Sequence, residues 1–347
     1  MFRKKILLAI VLLVFIGGAS FSTYVYVSVF SSNTSFEEDR VTVFISSNPE
    51  PGRLTKALFP FLENPNTFLR VAKQKGYLSQ LRGGKYLIQK GMSNNDIVNI
   101  LRSKPETIKL SFNNVERLED LAGKVSKIIE ADSISLMNAF LDVKFLDQNE
   151  FSPQTALSMY VPNTYDLFWN TSAEGFRDRM LKEYRIFWSE KRMNQAASIG
   201  LSPLEVSVLA AIVHKESVKK DERPRVAGVY LNRLKKNIKL QADPTVIFAL
   251  KHTQNDFDQL INRVLYKDLK IDSPYNTYMN KGLPPGPIFM ADISAIDAVL
   301  NPEKHDFIFF VADTSRFGYH IFAKTLRQHN NNKRQYVRWL NERKISR

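Results

Sequence analysis

The sequence predicts an α+β protein behind an N-terminal membrane-spanning helix, and three observations carry that prediction. No charged residue lies between Ile6 and Phe30, short β-rich segments alternate with helix starts from Val41 onward, and an almost wholly apolar helix opens at Ser202. The chain has 347 residues, 44% hydrophobic and 24% charged, with 14 Gly and 15 Pro. That composition excludes disordered, collagen-like and low-complexity classes. There is no cysteine, so disulfide frameworks, thiolate metal sites and cysteine nucleophiles are excluded as well.

At helical rise the Ile6–Phe30 run is about 37 Å long, against a hydrocarbon core of about 30 Å, so it is long enough to cross with some tilt. Arg3, Lys4 and Lys5 precede it, and Glu37, Glu38 and Asp39 follow. That asymmetry places the N-terminus in the cytoplasm and the body outside the membrane, as a single-pass protein. A cleaved signal peptide is the rival, with Gly17-Gly18-Ala19-Ser20 as its small residues. The apolar residues from Tyr24 to Phe30, however, prolong the run beyond what a signal needs. Net charge is +14, and only those three leading residues of the excess precede the apolar run. A basic exported body suits acidic lipid or a cell-wall polymer; export argues against nucleic acid as a partner.

The expected divisions are a cytoplasmic tail 1–5, the span 6–30, an N-terminal module 40–112, a helical connecting region 113–200 and a C-terminal domain 201–347. Val41–Ile45 reads as a strand, followed by helices opening at Leu54 and, after Asn64-Pro65, at Asn66. Gly84–Ile88 is a second strand, and Ser93 with Asp96 starts a short helix whose apolar side is Ile97, Val98, Ile100 and Leu101. Thr107–Phe112 returns to strand character, and helices follow over Arg117–Ile129 and Ser133–Leu141. Thr171 and Glu174 form a capping-box pattern before one long amphipathic helix reaching Ala197.

Ser202-Pro203-Leu204-Glu205 is a complete helix start, with an N-cap hydroxyl, proline at the first position and a reciprocal glutamate at the third. Leu204, Val206 and Val208 to Val213 surround the helix with apolar side chains, so it should be buried. The next acidic residue is Glu216, on the face of Leu209, Ile212 and Val213. Desolvation and the negative end of the helix dipole both disfavour its ionised form, while Lys215 and Lys219 oppose them. A carboxylic acid kept protonated near neutrality is what protonating a glycosidic leaving group requires. A solvated glutamate among lysines is the plain alternative. His214-Lys215-Glu216 is not a zinc motif, and His252, His305, His320 and His329 show no ligand spacing, so no metal is expected. Acyl hydrolase, nucleotide-binding and dehydrogenase motifs are missing, and no organic cofactor is expected.

Several segments together resemble one family, the MltG or YceG-like endolytic murein transglycosylases. They are Ala211-Ile212-Val213-His214-Lys215-Glu216-Ser217, Val229-Tyr230-Leu231-Asn232-Arg233-Leu234 and Leu240-Gln241-Ala242-Asp243-Pro244-Thr245-Val246. Ser273-Pro274-Tyr275-Asn276-Thr277-Tyr278, Gly282-Leu283-Pro284-Pro285-Gly286-Pro287-Ile288 and Gly318-Tyr319-His320-Ile321-Phe322 complete the set. Tyr160–Tyr165 looks like the family's segment ahead of its catalytic domain, and Gly84–Leu101 like its LysM-type module. The resemblance puts the catalytic acid on Glu216, with Ser217 completing a Glu-Ser pair found in other lytic transglycosylases. The family usually carries a second glutamate where this chain has His214, which is either a neighbour tuning Glu216 or a surface substitution. Ala242, Phe289 to Asp292 and Gln328 also depart from the family pattern.

The remaining landmark residues have chemistry to offer a sugar. Asn232, Gln241, Tyr275 and Asn276 can exchange hydrogen bonds with hydroxyl and acetamido groups, and Tyr275 or Tyr278 can stack on a ring. His320 is a further site candidate, with a structural histidine as its alternative. Asn232 and Arg233 could equally tie a helix to a loop, and Asp243 could be an N-cap. Gly282–Pro287 fixes a loop of special backbone geometry suited to framing a groove. The resemblance implies endolytic cleavage between MurNAc and GlcNAc with 1,6-anhydroMurNAc ends, on nascent strands near the membrane. Peptidoglycan strands and membrane lipid are then the partners, with peptidoglycan synthases open as protein partners. The rival functions are a glycoside hydrolase using Asp243 as a second carboxylate, or a non-enzymatic wall-binding scaffold. The basic tail Lys333–Arg347, with Tyr336, Val337 and Leu340 at helical spacing, is a docked terminal helix or a contact for anionic lipid or wall polymer.

Overall fold

The computed structural model describes residues 2–343; Met1 and residues 344–347, the extreme ends of the tail 1–5 and of the basic tail, lie outside the described residues. The chain forms two compact units. One holds residues up to 110 with 126–131 and 165–172; the other holds 111–125, 132–164 and everything from 173 onward. The region expected as a connector, 113–200, is thus divided, with most of it in the second unit.

In the first unit, the helix Phe2–Phe30 is long and apolar enough to cross a membrane. Its last turns are tied down: Asn94 Nδ2 donates to the Ser28 carbonyl at 2.8 Å, and Arg70 bonds the Tyr24 hydroxyl. Arg40–Ile45 pairs antiparallel with Gly84–Gln89, Val43 opposite Tyr86. Strand alternation sends Val43, Ile45, Tyr86 and Ile88 into a core completed by Leu54, Leu58, Phe68, Val71, Ile97 and Leu101. The helix Pro65–Gln74 starts on an Asn64 cap, and Asn94–Arg102 on the Ser93/Asp96 capping box. Thr107–Phe112 pairs with Asn163–Phe168, and the chain leaves this unit and re-enters it along those strands.

In the second unit, the single helix expected from Thr171 to Ala197 is two, Ala173–Phe187 and Glu190–Ser198. The cause of the break is Trp188, only 5% exposed, which turns into the hydrophobic core while Ser189 adopts extended backbone. Nor does the Thr171 hydroxyl cap; it donates back to the Phe168 carbonyl at 2.6 Å. The helix Pro203–Glu216 forms as its capping box dictates, and every residue from Val206 to Val213 is buried. It packs against the helices Arg223–Lys235 and Ile293–Leu300. Each fully buried Leu, Ile or Val there contributes roughly 1.5–3 kcal/mol, so the acid helix is among the most firmly held elements of the unit. The helix Asp243–Gln254 follows. The hairpin Phe309–Ala312 with His320–Ala323 comes next, and the terminal helix Leu326–Glu342 lies against it with Leu340 buried.

Candidate active site

Glu216 is the last residue of the buried helix, and its carboxyl stands in a cavity of about 420 Å³. The helix delivers it there because the apolar face ahead of it leaves no other direction free. Its Oε1 accepts from the Tyr230 hydroxyl at 2.9 Å. Burial pushes the carboxyl up to about 7; the Tyr230 bond opposes that, the nearby Asp243 charge adds to it, and His320 and Arg233 oppose it. A group balanced near neutrality can give a proton and take one back.

Besides Glu216 the cavity wall comes from five segments, one of them the hairpin strand that supplies Phe309 and Phe310. Tyr230 and Arg233 come from the helix Arg223–Lys235, Gln241 and Asp243 from the next helix start, Tyr278 from the loop beyond it, and Leu326, His329, Asn330 and Lys333 from the terminal helix. Arg233 is the clamp. Its Nε donates to the Ile308 carbonyl at 2.6 Å, and its Nη1 to the Lys239 and Leu240 carbonyls and Gln241 Oε1 at 3.0, 2.8 and 3.2 Å. Gln241 sits at φ 52°, the left-handed region, and its N–H donates to the Thr277 carbonyl. Thr245 and Thr277 hydroxyls lie 2.8 Å apart, and Thr277 Oγ1 accepts from the Ala242 N–H. Tyr278 donates to Asp243 Oδ1 at 2.6 Å, so Asp243 lies in the first turn of its helix facing the cavity, and Ala242 takes the N-cap position. Of the predicted residues, Glu216, Gln241 and Tyr278 come together.

Ser217, Asn232, Tyr275, Asn276 and His320 are held elsewhere. Ser217 is fully buried, its hydroxyl 3.1 Å from Glu222 Oε2. Asn232 donates to the His305 and Phe307 carbonyls at 2.7 and 3.0 Å, tying helix to loop. Asn276, also fully buried, donates to the Leu269 and Ile271 carbonyls, and Tyr275 packs 4.7 Å from the Phe248 ring. His320 is gripped through both its backbone N–H and its ring Nδ1 by Glu222, at 2.7 and 2.8 Å, and is not among the residues that line the cavity. Burial raises Glu222, yet the bonds from His320 and Ser217 outweigh it and bring its pKa below the usual glutamate value.

His214 is neither on the cavity nor on the open surface. Its Nδ1 accepts the Asp292 N–H at 3.1 Å and its ring meets Phe289 edge-on at 5.0 Å; burial lowers its pKa, which keeps it neutral and in that role. Asp292 is half-buried, and that partial desolvation raises its carboxyl, but the Arg223 and Ser294 hydrogen bonds outweigh it and hold it down at about 2. The Gly282–Pro287 loop does not line the acid cavity. A Cβ at Gly286 would stand 2.0 Å from the Gln154 carbonyl, so glycine is needed there for a close backbone approach. Tyr230 and the cavity-lining residues of the terminal helix were not singled out from sequence, although Tyr230 lies inside a landmark; Arg233 was considered only as a tie from helix to loop, which its bonds to the Ile308, Lys239 and Leu240 carbonyls make it. Among the described residues, no group of three or more His, Asp or Glu is placed to hold a metal ion.

Fold and site together define an α+β protein that presents one desolvated carboxylic acid at the end of a buried helix, in an open cavity rich in hydrogen-bonding groups. The chain belongs to the YceG-like family, whose model matches residues 52–335. It is 32% identical over 305 residues to an endolytic murein transglycosylase of Bacillus subtilis, covering 81% of this chain and 80% of that protein. An endolytic murein transglycosylase of Streptococcus pneumoniae is 29% identical over 303 residues, and the chain spans about half of that longer protein, 53%. The crystal structure of a yceG-like protein from Listeria monocytogenes superposes with a TM-score of 0.55 at 27% identity, covering 85% of this chain and 99% of the other.

Proposed function

We propose that the protein is an endolytic peptidoglycan lytic transglycosylase, held by its N-terminal helix in the bacterial cell membrane with Arg3, Lys4 and Lys5 on the cytoplasmic side. It cleaves the MurNAc–GlcNAc bond of nascent strands close to the membrane and leaves 1,6-anhydroMurNAc ends. The observation that carries this reading is Glu216, a carboxyl raised to about 7 by burial in a cavity that its helix cannot vacate. In the first step the Glu216 acid protonates the glycosidic oxygen, and the bond to the MurNAc C1 breaks. In the second, the Glu216 carboxylate takes the proton of the MurNAc C6 hydroxyl, whose oxygen closes on C1. The acid is regenerated and no water is consumed. Gln241 and Tyr278 bind sugar hydroxyls from the cavity wall, and Tyr230 holds one carboxyl oxygen so that the other faces the bond.

Hydrolysis is the second reading, because Asp243 lines the same cavity and a hydrolase uses two carboxyl groups. Mass analysis of fragments from purified glycan strands separates the two. Transglycosylation gives chains lighter by one water with no reducing end; reducing MurNAc ends would instead make Asp243 the missing base. The sheet and helices of the first unit support a LysM-like, glycan-binding role for residues 40–112. Deleting them should weaken binding to insoluble peptidoglycan, and unchanged binding would leave them a structural module.

A further inference from the structure

We propose that Lys333 forms an anion subsite in the acid cavity for a carboxylate carried on the muramyl residues of the glycan, so that acid-bearing muramyl strands bind in preference to neutral ones. This rests on the glycan-cleaving reading above. The terminal helix turns Leu326, His329, Asn330 and Lys333 toward the cavity, at spacings of three, four and seven residues that make one helical face. Leu326 gives that stripe an apolar end, Asn330 a donor and acceptor, and Lys333 a cation.

The charges in the cavity are unequally committed. Arg233 already serves the Ile308, Lys239 and Leu240 carbonyls and the Gln241 side chain. Lys333, exposed where it lines the cavity, forms no ion pair and no hydrogen bond from its ammonium among the described residues. His329 stacks on Phe309 at 5.1 Å, and burial together with the Lys333 and Arg233 charges holds its pKa below the usual histidine value, so it adds no competing cation near neutrality. The Asp243 charge, which also acts on Glu216, repels an anion from the catalytic side, whereas Glu216 in its protonated form does not. A negatively charged substrate group entering this cavity therefore has its favourable position beside the terminal helix, with three ammonium donors to receive it.

Peptidoglycan carries that group, and a plain chitin-type glycan does not. Each MurNAc bears a lactyl ether that ends in a carboxylate when the stem peptide has been removed. When the peptide is present the lactyl group is an amide, and the carboxylates lie further along the stem. Both sources offer the same chemistry to Lys333, and the two differ in reach.

The test measures binding to the full-length protein in detergent, with Glu216→Gln present so that ligands are not cut. Three matched muramyl oligosaccharides serve as probes: denuded, stem-bearing, and denuded with every carboxylate converted to a primary amide. At low salt, one or both acid-bearing probes should bind about 5-fold tighter than the amide, and whichever does so identifies the source of the anion. Lys333→Met should bring that ratio to about 1, Lys333→Arg should keep it, and Lys333→Glu should reverse it, all on the basis of charge at this site. Equal binding of acid and amide probes, or a ratio that survives Lys333→Met, overturns the subsite. Cleavage by the otherwise unaltered protein distinguishes this from failure of the main reading: equal cutting of acid and amide strands removes the subsite alone, and no cutting of any strand removes the reaction itself.

Discussion

Glu216 and Glu222 lie a short loop apart, both withdrawn from solvent, and they end in opposite states. Glu216 closes the buried helix with the Tyr230 hydroxyl as its hydrogen-bond donor and rises to about 7. Glu222, 5% exposed, receives the His320 N–H, faces the His320 ring and meets the Ser217 hydroxyl, and it falls below the usual value. Burial is the largest influence on each and acts in the same direction on both. What differs is how many donors meet the charge. One carboxyl is therefore left as a reservoir for a proton, and the other becomes a fixed anion that joins the hairpin residue His320 to the loop after the acid helix.

The variant that breaks the comparison hardest is Glu216→Gln. It keeps shape and the Tyr230 contact but cannot transfer the proton, so glycan cleavage should fall by about 100-fold to 10,000-fold or beyond, measured as released fragments per unit time. Retention of more than a tenth of the activity would remove Glu216 from its role. Glu222→Ala should instead act on the fold. Leaving His320 and Ser217 without their acceptor should cost roughly 3–5 kcal/mol, the scale for breaking a buried pair, seen as a lower denaturation midpoint with the denaturant slope unchanged.

The two carboxyls should also give opposite pH dependences of stability. Glu216 has a folded pKa raised to about 7 from an ordinary 4.5, so its contribution is fully present below the unfolded value and is lost as pH rises through 7. Relative to Glu216→Gln, the unaltered protein should lose up to about 3 kcal/mol across that window. Glu222 is depressed, so its stabilisation is present above the unfolded value and is lost as pH falls through its folded one. Parallel unfolding curves of both Gln variants from acid to weakly alkaline pH would show whether the two slopes differ in sign. The smallest effect belongs to Tyr230→Phe. Removing the donor that lowers Glu216 should move the alkaline limb of the activity profile upward by about one pH unit with only a several-fold change in rate, whereas a downward shift would mean that Tyr230 supports the protonated form.

The acid was legible in the sequence because everything that shapes it is local: the Ser202–Glu205 capping box, the proline at the first position, and an apolar surface that forces the helix inside. The long apolar N-terminal helix and the strands at residues 40 and 84 were legible for the same reason. Partners distant in sequence were not. An amide such as Asn232 or Asn276 looks suited to a sugar, and nothing in its neighbours reveals that it is bonded to the carbonyls of loops folded against it. Tyr230 could not be matched to Glu216 without the crossing of two helices, and the part of the terminal helix in the cavity depends on how the hairpin seats it. The break at Trp188 was hidden because amphipathic spacing continues on either side of it, and only the core shows where that ring must go.

The most direct test is carboxyl-carbon NMR titration of the full-length protein labelled at glutamate side chains, with Glu216→Gln and Glu222→Gln used to assign the two signals. The account predicts that the Glu216 signal titrates at about 7 and the Glu222 signal below the ordinary glutamate range. A Glu216 carboxyl that titrates with the solvent-exposed glutamates would contradict it, since no protonated acid would then stand in the cavity at neutral pH.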